Sequence, residues 1–288
     1  MYENQLKKVF FVSLLATVLL ACLKLAVGYF YNSLALIYDA LESIADLFIF
    51  ASLYGAALLA TKPPDSEHLY GHTKIESLAA LYTGMAIFTG GLYLCIEALS
   101  HLAGTLKAPG IPAFLTAISV VITKEALYIY TRSNAAMTGS PVLSALALDH
   151  HKDALSSLIT VAGTSASILN LPILDPLAAL LTSLVIVSSG AKAAYSASSD
   201  LLDKSPEREI IDKISRAIGS VEGVKRISAL KARKSGKDIL VDVDIEVDEN
   251  LSVSEAHEIA SVVRERTMDE IKNVKDVIVH VEPYRKKV

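Results

Sequence analysis

Along the first two-thirds of the chain, apolar residues run in long blocks separated by short polar punctuation. The blocks fall near 9–31, 33–60, 76–102, 111–131, 143–169 and 174–198, each reaching the roughly 20 residues that a membrane-spanning helix needs. Turn formers mark the breaks: "KPPD" after the second block, "APGIP" before the fourth, "TGSP" before the fifth and "NLPILDP" before the sixth. The pattern predicts six transmembrane helices over residues 1–204. From about Pro206 the periodicity changes. "EREIIDKISRAIGSV" has helical spacing, and "VKRISALKARK" and "DILVDVDIEVD" alternate around "SGK", a hairpin signal. "SVSEAHEIASVVRERTMDEI" opens on a Ser cap and carries a helical apolar stripe, and "VKDVIVHVEP" is a last strand ended by Pro283. Helix, strand, strand, helix, strand predicts a small open-faced α+β domain over residues 205–288.

Composition agrees with this division. The 288 residues are 52% hydrophobic with mean hydropathy +0.43, too apolar for an ordinary soluble domain, and most charges fall after about Lys204. The net charge of −4 argues against a nucleic-acid partner, which needs a concentrated basic face. Cys22 and Cys95 sit inside apolar blocks and read as small buried side chains. "LLAC" ending at Cys22 resembles a lipoprotein cleavage box, but the apolar run continues through "LAVGYFY", so a retained span is expected. Lys7, Lys8, Lys62, Lys74 and Arg132 fall on the side of the C-terminal domain, with Lys107 the main basic residue opposite. The positive-inside rule then places both termini in the cytoplasm.

The chemistry lies in the acidic residues of the blocks. The second holds Asp39, Glu42 and Asp46; the fifth opens with "DHHKD", containing Asp149 and Asp153. Glu42/Asp46 and Asp149/Asp153 are both spaced i, i+4, which stacks two carboxylates on one helix face. A charge at mid-bilayer costs on the order of 3 kcal/mol even on a lenient scale. One acidic residue near a helix end could snorkel to water; two matched pairs are better explained by a shared polar site. Facing one another they would repel, so they would hold protons or share a divalent cation through up to four oxygen ligands. Metal release and proton uptake are then linked, because both compete for the same oxygens. Asp39 lies on a different face and is expected to line a polar entrance. His150, His151 and Lys152 point away from the Asp149/Asp153 face, toward wetter or dimer-side surroundings.

These stretches resemble the cation diffusion facilitator family of divalent-metal transporters over nearly the whole chain. The resemblance rests on "SLALIYDALESIAD" in span two, "YGHTKIESLAAL" entering span three, "KEALYIYTR" in span four and "DHHKDALSS" in span five. It implies a homodimeric metal/proton antiporter with six spans in a lipid bilayer and a cytoplasmic metallochaperone-like domain, in a compact form that suits a prokaryotic plasma membrane. It maps the transport site onto Glu42, Asp46, Asp149 and Asp153. Zinc-moving relatives look like His-x-x-x-Asp in span five, whereas position 149 here is Asp. An all-oxygen site suits Mn²⁺ or Fe²⁺ better than an imidazole-containing one, although zinc binds most oxygen sites more tightly than manganese. Further implied by resemblance are a loop metal site at Asp65, His68 and His72, and a cytoplasmic-domain site at Asp244, His257, His280 and Glu282. In the latter, Ser228 stands where relatives carry a histidine. Lys74 and Asp203 match a charge pair that ties the spans together near the cytoplasmic surface.

Two other classes fit less well. An intramembrane metalloenzyme would need a motif such as His-Glu-x-x-His, which the sequence lacks. A membrane metal sensor would need an output domain, and none is recognisable. The reading is therefore a non-enzymatic efflux transporter for Mn²⁺ or Fe²⁺, with Zn²⁺, Cd²⁺ or Co²⁺ as the alternative cargo.

Overall fold

A computed structural model describes residues 2–104, 106–138, 140–236 and 238–285. Gly139 of the "TGSP" break and Lys237 of the "SGK" turn lie outside them. The membrane part consists of α1 (Tyr2–Phe30), α2 (Leu34–Ala60), α3 (Lys74–Ala103), α4 (Ile111–Thr138), α5 (Pro141–Thr164), a short α6 (Ala166–Leu169) and α7 (Leu174–Leu201). Among the described residues, five helices are long and apolar enough to cross a bilayer: α1 from Leu6, α2, α3, α4 and α7. Helix α5 is the sixth expected span. Its 24 residues extend about 36 Å, which also suffices, but Asp149, Lys152 and Asp153 lower its apolar character. The fifth block, expected as one helix over 143–169, is interrupted: α5 ends at Thr164, and Ser165 leads into α6, which stops at Asn170 in the left-handed region (φ 55°).

The contacts divide the chain into two units, residues 1–51 with 83–193, and residues 52–82 with 194–288. In the first unit, small residues let the helices approach closely, as expected where lipid supplies no hydrophobic drive between helices. Tyr38, Ala98 and Ala179 join α2, α3 and α7. Leu36, Ala113 and Ala117, with Val27 and Val161, join α1, α2, α4 and α5. At Gly163 a Cβ would lie 2.4 Å from the Ala178 Cβ and 3.1 Å from the Ala35 Cβ, so α5 meets α2 and α7 where only glycine fits. Helix α2 is positioned from outside itself. Asp175 of α7 accepts from Ser33 Oγ (2.7 Å) and the Leu34 amide (2.6 Å), satisfying amide groups that the first turn leaves unpaired.

The second unit carries α8 (Arg208–Gly219), β1 (Arg226–Ser235), β2 (Asp238–Val247), α9 (Val253–Glu270) and β3 (Val274–Pro283). The sheet order is β1-β2-β3, with β1 antiparallel and β3 parallel to the central β2. This is the expected α+β order. Val241, Val243 and Ile245 of β2 face Ile214, Ile218 and Val263 of the helices in one apolar core, and α9 starts with the expected Ser252 cap in a reciprocal capping box with Glu255.

Candidate functional site

Helix geometry places the acidic residues of α2 and α5 well inside the membrane part. Glu42 is about 12 Å from the first residue of α2, and Asp153 about 18 Å from that of α5. Asp46 and Asp149 are open to the surface of the single chain, while Glu42 and Asp153 are half-buried. Asp46 is within electrostatic reach of Asp149 and Asp153, and Glu42 of Asp46 and Asp153, so the four carboxylates face a shared region. Their oxygens do not converge into a closed cage: among the described residues, no three of the four bring ligand atoms within 4.8 Å of one another. Each inner carboxylate has a partner instead. Both Glu42 oxygens accept from Ser156 Oγ at 3.0 Å. Asp153 Oδ2 lies 2.6 Å from Lys124 Nζ of α4.

Two expectations about neighbouring residues change. Asp39 does not line a polar entrance; it is 3% exposed and paired with Lys24 of α1. The Lys24 ammonium, itself 1% exposed, donates to Asp39 Oδ1 (2.9 Å), the Asp39 carbonyl (2.7 Å) and Ser43 Oγ (2.8 Å), and Ser157 Oγ donates to the same Asp39 oxygen at 3.1 Å. His150 does not face wetter surroundings either. It is 3% exposed, with Nε2 3.0 Å from Ser13 Oγ of α1. His151 is half-buried, its Nδ1 2.6 Å from Glu125 Oε1 and its ring stacked on Tyr128. Sequence reasoning assigned no role to Lys24 or Lys124. The signal was there, since a lysine in the middle of a spanning block demands an internal partner.

Among the described residues, the loop set is the one group of three that closes. Asp65, His68 and His72 bring ligand atoms within 4.8 Å of one another. His68 Nδ1 is 3.3 Å and His72 Nε2 3.4 Å from the Asp65 oxygens. Backbone N–H groups of His68 and Glu67 hold the Asp65 carboxyl below its usual pKa, so it stays ionised and ready to bind a cation. Asp plus two His is a usable divalent set.

In the C-terminal sheet, Asp244 pairs in register with His280, and His280 Nε2 is 3.9 Å from Glu282 Oε1. Ser228 Oγ donates to Glu282 Oε2 at 3.1 Å. No three of Asp244, His257, His280 and Glu282 meet within 4.8 Å among the described residues. Lys74 and Asp203 do meet, Nζ to Oδ1 at 3.1 Å, and Arg233 reaches the other Asp203 oxygen at 3.3 Å; Arg233 is a third member that the sequence did not expose.

Comparison with known proteins agrees with this architecture. Residues 10–202 match the model for the cation efflux transmembrane domain, and residues 206–284 that for the cation efflux protein cytoplasmic domain. Metal tolerance protein C1 of Arabidopsis thaliana is 33% identical over 96% of this chain, which spans 62% of that relative's length. Two Bacillus subtilis proteins match over nearly their whole length. Manganese efflux system protein MneP is 27% identical, covering 98% of this chain and 97% of its own, and MneS is 30% identical, covering 96% and 95%. Paired intramembrane carboxylates, six long helices, the cytoplasmic α+β fold and both domain matches lead to one assignment: the chain belongs to the cation diffusion facilitator family of divalent metal cation efflux transporters.

Proposed function

We propose that Glu42, Asp46, Asp149 and Asp153 form the transport site and that it exchanges Mn²⁺ or Fe²⁺ for protons by alternating access. The observation that carries this reading is the pair of i, i+4 carboxylates on α2 and α5, facing a common region inside the membrane part. Only oxygen ligands come from these four positions, and hard oxygen donors suit Mn²⁺ and Fe²⁺. The two Bacillus subtilis relatives named for manganese efflux point to the same cargo. Protons moving inward neutralise the carboxylates as the metal leaves, since protonation and metal compete for the same lone pairs.

In this reading residues 1–204 are the transport domain. Residues 205–288 are a cytoplasmic domain that joins two copies into a homodimer and responds to metal through Asp244, His257, His280 and Glu282. Both termini are cytoplasmic, and the membrane is a prokaryotic plasma membrane. Asp65, His68 and His72 form a metal site in the loop between α2 and α3, and Lys74 with Asp203 ties the spans together near the cytoplasmic surface. The imidazoles of this loop set are the feature that favours Zn²⁺ as a second cargo.

The test is uptake into proteoliposomes of Mn²⁺, Fe²⁺, Zn²⁺, Co²⁺ and Cd²⁺ at equal free-ion concentration, driven by an acid-inside gradient. Mn²⁺ or Fe²⁺ should move fastest, and a protonophore should stop the movement. Faster zinc would overturn the cargo, and indifference to the gradient would overturn the antiport.

A further inference from the structure

Lys124 stands in the middle of α4, one of the helices apolar enough to span the membrane. Its side chain is 1% exposed, and its ammonium makes one strong contact, to Asp153 Oδ2 at 2.6 Å, and one long one, to Thr17 Oγ1 of α1 at 3.5 Å. Among the described residues, the other buried lysine is held differently. Lys24 has three acceptors within 2.9 Å, all from Asp39 and Ser43, so it is locked to residues outside the proposed ligand set. Lys124 instead holds one of the four proposed ligand oxygens and little else. Among the described residues, the charged and titratable groups facing it include Asp153, Asp46, Asp149 and His150.

An ammonium seated 2.6 Å from Asp153 Oδ2 and a divalent cation on the same carboxylate repel one another strongly away from water. The lysine stem is flexible and its ammonium is a compact point charge, so it can leave Asp153 and return without unfolding α4. From this geometry we propose that Lys124 is a tethered competitor for the transport site: its ammonium and the divalent substrate take Asp153 in alternation. The inference rests on the reading of Asp153 as a metal ligand. It adds that the chain supplies its own displacing cation. Returning to Asp153, the ammonium lowers metal affinity and hastens release. It also selects for charge, because a monovalent cation gains nothing by replacing another single positive charge on that oxygen, whereas a divalent cation does.

Lys124 is thus a positioning and specificity residue, and its signature is a split between affinity and turnover. In full-length protein, Mn²⁺ binding is measured by calorimetry in detergent and Mn²⁺ uptake in proteoliposomes. Lys124→Gln should bind Mn²⁺ about tenfold more tightly and turn over about tenfold more slowly. Lys124→Arg, whose planar fork grips a carboxylate with two hydrogen bonds, should bind it several-fold more weakly. A purely structural role would weaken binding and uptake in both variants. That result overturns the proposal, as does a Lys124→Gln protein unchanged within about twofold in both measurements. Should Lys124→Gln fail to assemble, Lys124→Met takes its place with the same expected tighter binding and slower turnover, wild-type or weaker affinity being the contrary result. Asp153→Asn separates this proposal from the reading beneath it. Loss of Mn²⁺ binding supports Asp153 as a ligand, and wild-type binding would overturn the ligand assignment whatever Lys124 does.

Discussion

At the scale of single residues, the membrane part is organised by ion pairs that the spacing of acidic residues does not reveal. Asp39 and Lys24 are both nearly inaccessible and pair with one another through Asp39 Oδ1, which sets Asp39 apart from the proposed ligand set although it lies only three positions before Glu42. Removing one partner of a buried pair leaves an uncompensated charge at a cost of about 3–5 kcal/mol. Lys24→Met should therefore lower the thermal stability of the detergent-solubilised protein sharply. Adding Asp39→Asn to the same protein should recover most of that loss, because the orphaned charge is then gone. A single variant as stable as wild type would show that the pair is not load-sharing in the fold. The two i, i+4 pairs were legible because helical periodicity alone stacks them. The partners of Asp39, Asp153 and His150 were not, because they come from α1 and α4, and pattern along one helix says nothing of which neighbour packs against it.

At the scale of elements, α5 carries most of the chemistry and departs most from its expected form. Its apolar block predicted a helix to 169, whereas α5 ends at Thr164 and a separate turn follows; uniform hydrophobicity hid the break. Just before that end, Gly163 brings α5 against Ala178 of α7 and Ala35 of α2. Gly163→Ala would place a methyl carbon 2.4 Å from the Ala178 Cβ. Overpacking of this kind costs about 1–3 kcal/mol. Forcing α5 away from α2 should also separate the two carboxylate pairs, so Mn²⁺ affinity should fall along with stability in the same variant. Calorimetry beside thermal unfolding checks both; unchanged affinity in a destabilised protein would show that the packing at Gly163 does not set the spacing of the site. Helix α2 is held at this same end by Asp175, whose cap on Ser33 and Leu34 was equally invisible from sequence, since cap and helix are more than a hundred residues apart.

At the scale of the whole molecule, the six helices and the αββαβ order were legible, because long apolar blocks and alternating strands are local signals. The charge cluster at Asp203 was legible in part. Lys74 was matched by resemblance, while Arg233 joined only when β1 was seen to approach. Asp203 also adopts a positive φ of 58°, a conformation uncommon outside glycine. The Lys74 ammonium hydrogen-bonded to Asp203, with Arg233 adding to it, holds the carboxyl below its ordinary value of 3.8. A lowered folded value means that the pair's contribution is fully present above the ordinary value and lost as pH falls through the lowered one. The stability difference between wild type and Asp203→Asn should then be constant from neutral pH to about pH 4 and shrink below it. It should also be small and sensitive to salt, since the groups are exposed. A difference that grew toward acid would contradict the assignment. The central claim, that the carboxylates of α2 and α5 carry the metal, is tested most directly by Mn²⁺ uptake into proteoliposomes. Wild type is compared with Asp46→Asn and Asp153→Asn, each shown to keep the wild-type oligomeric state. Even partners of metal ligands are worth about 10–100-fold, so uptake by both variants should fall by at least about a hundredfold; wild-type uptake by both would contradict the account.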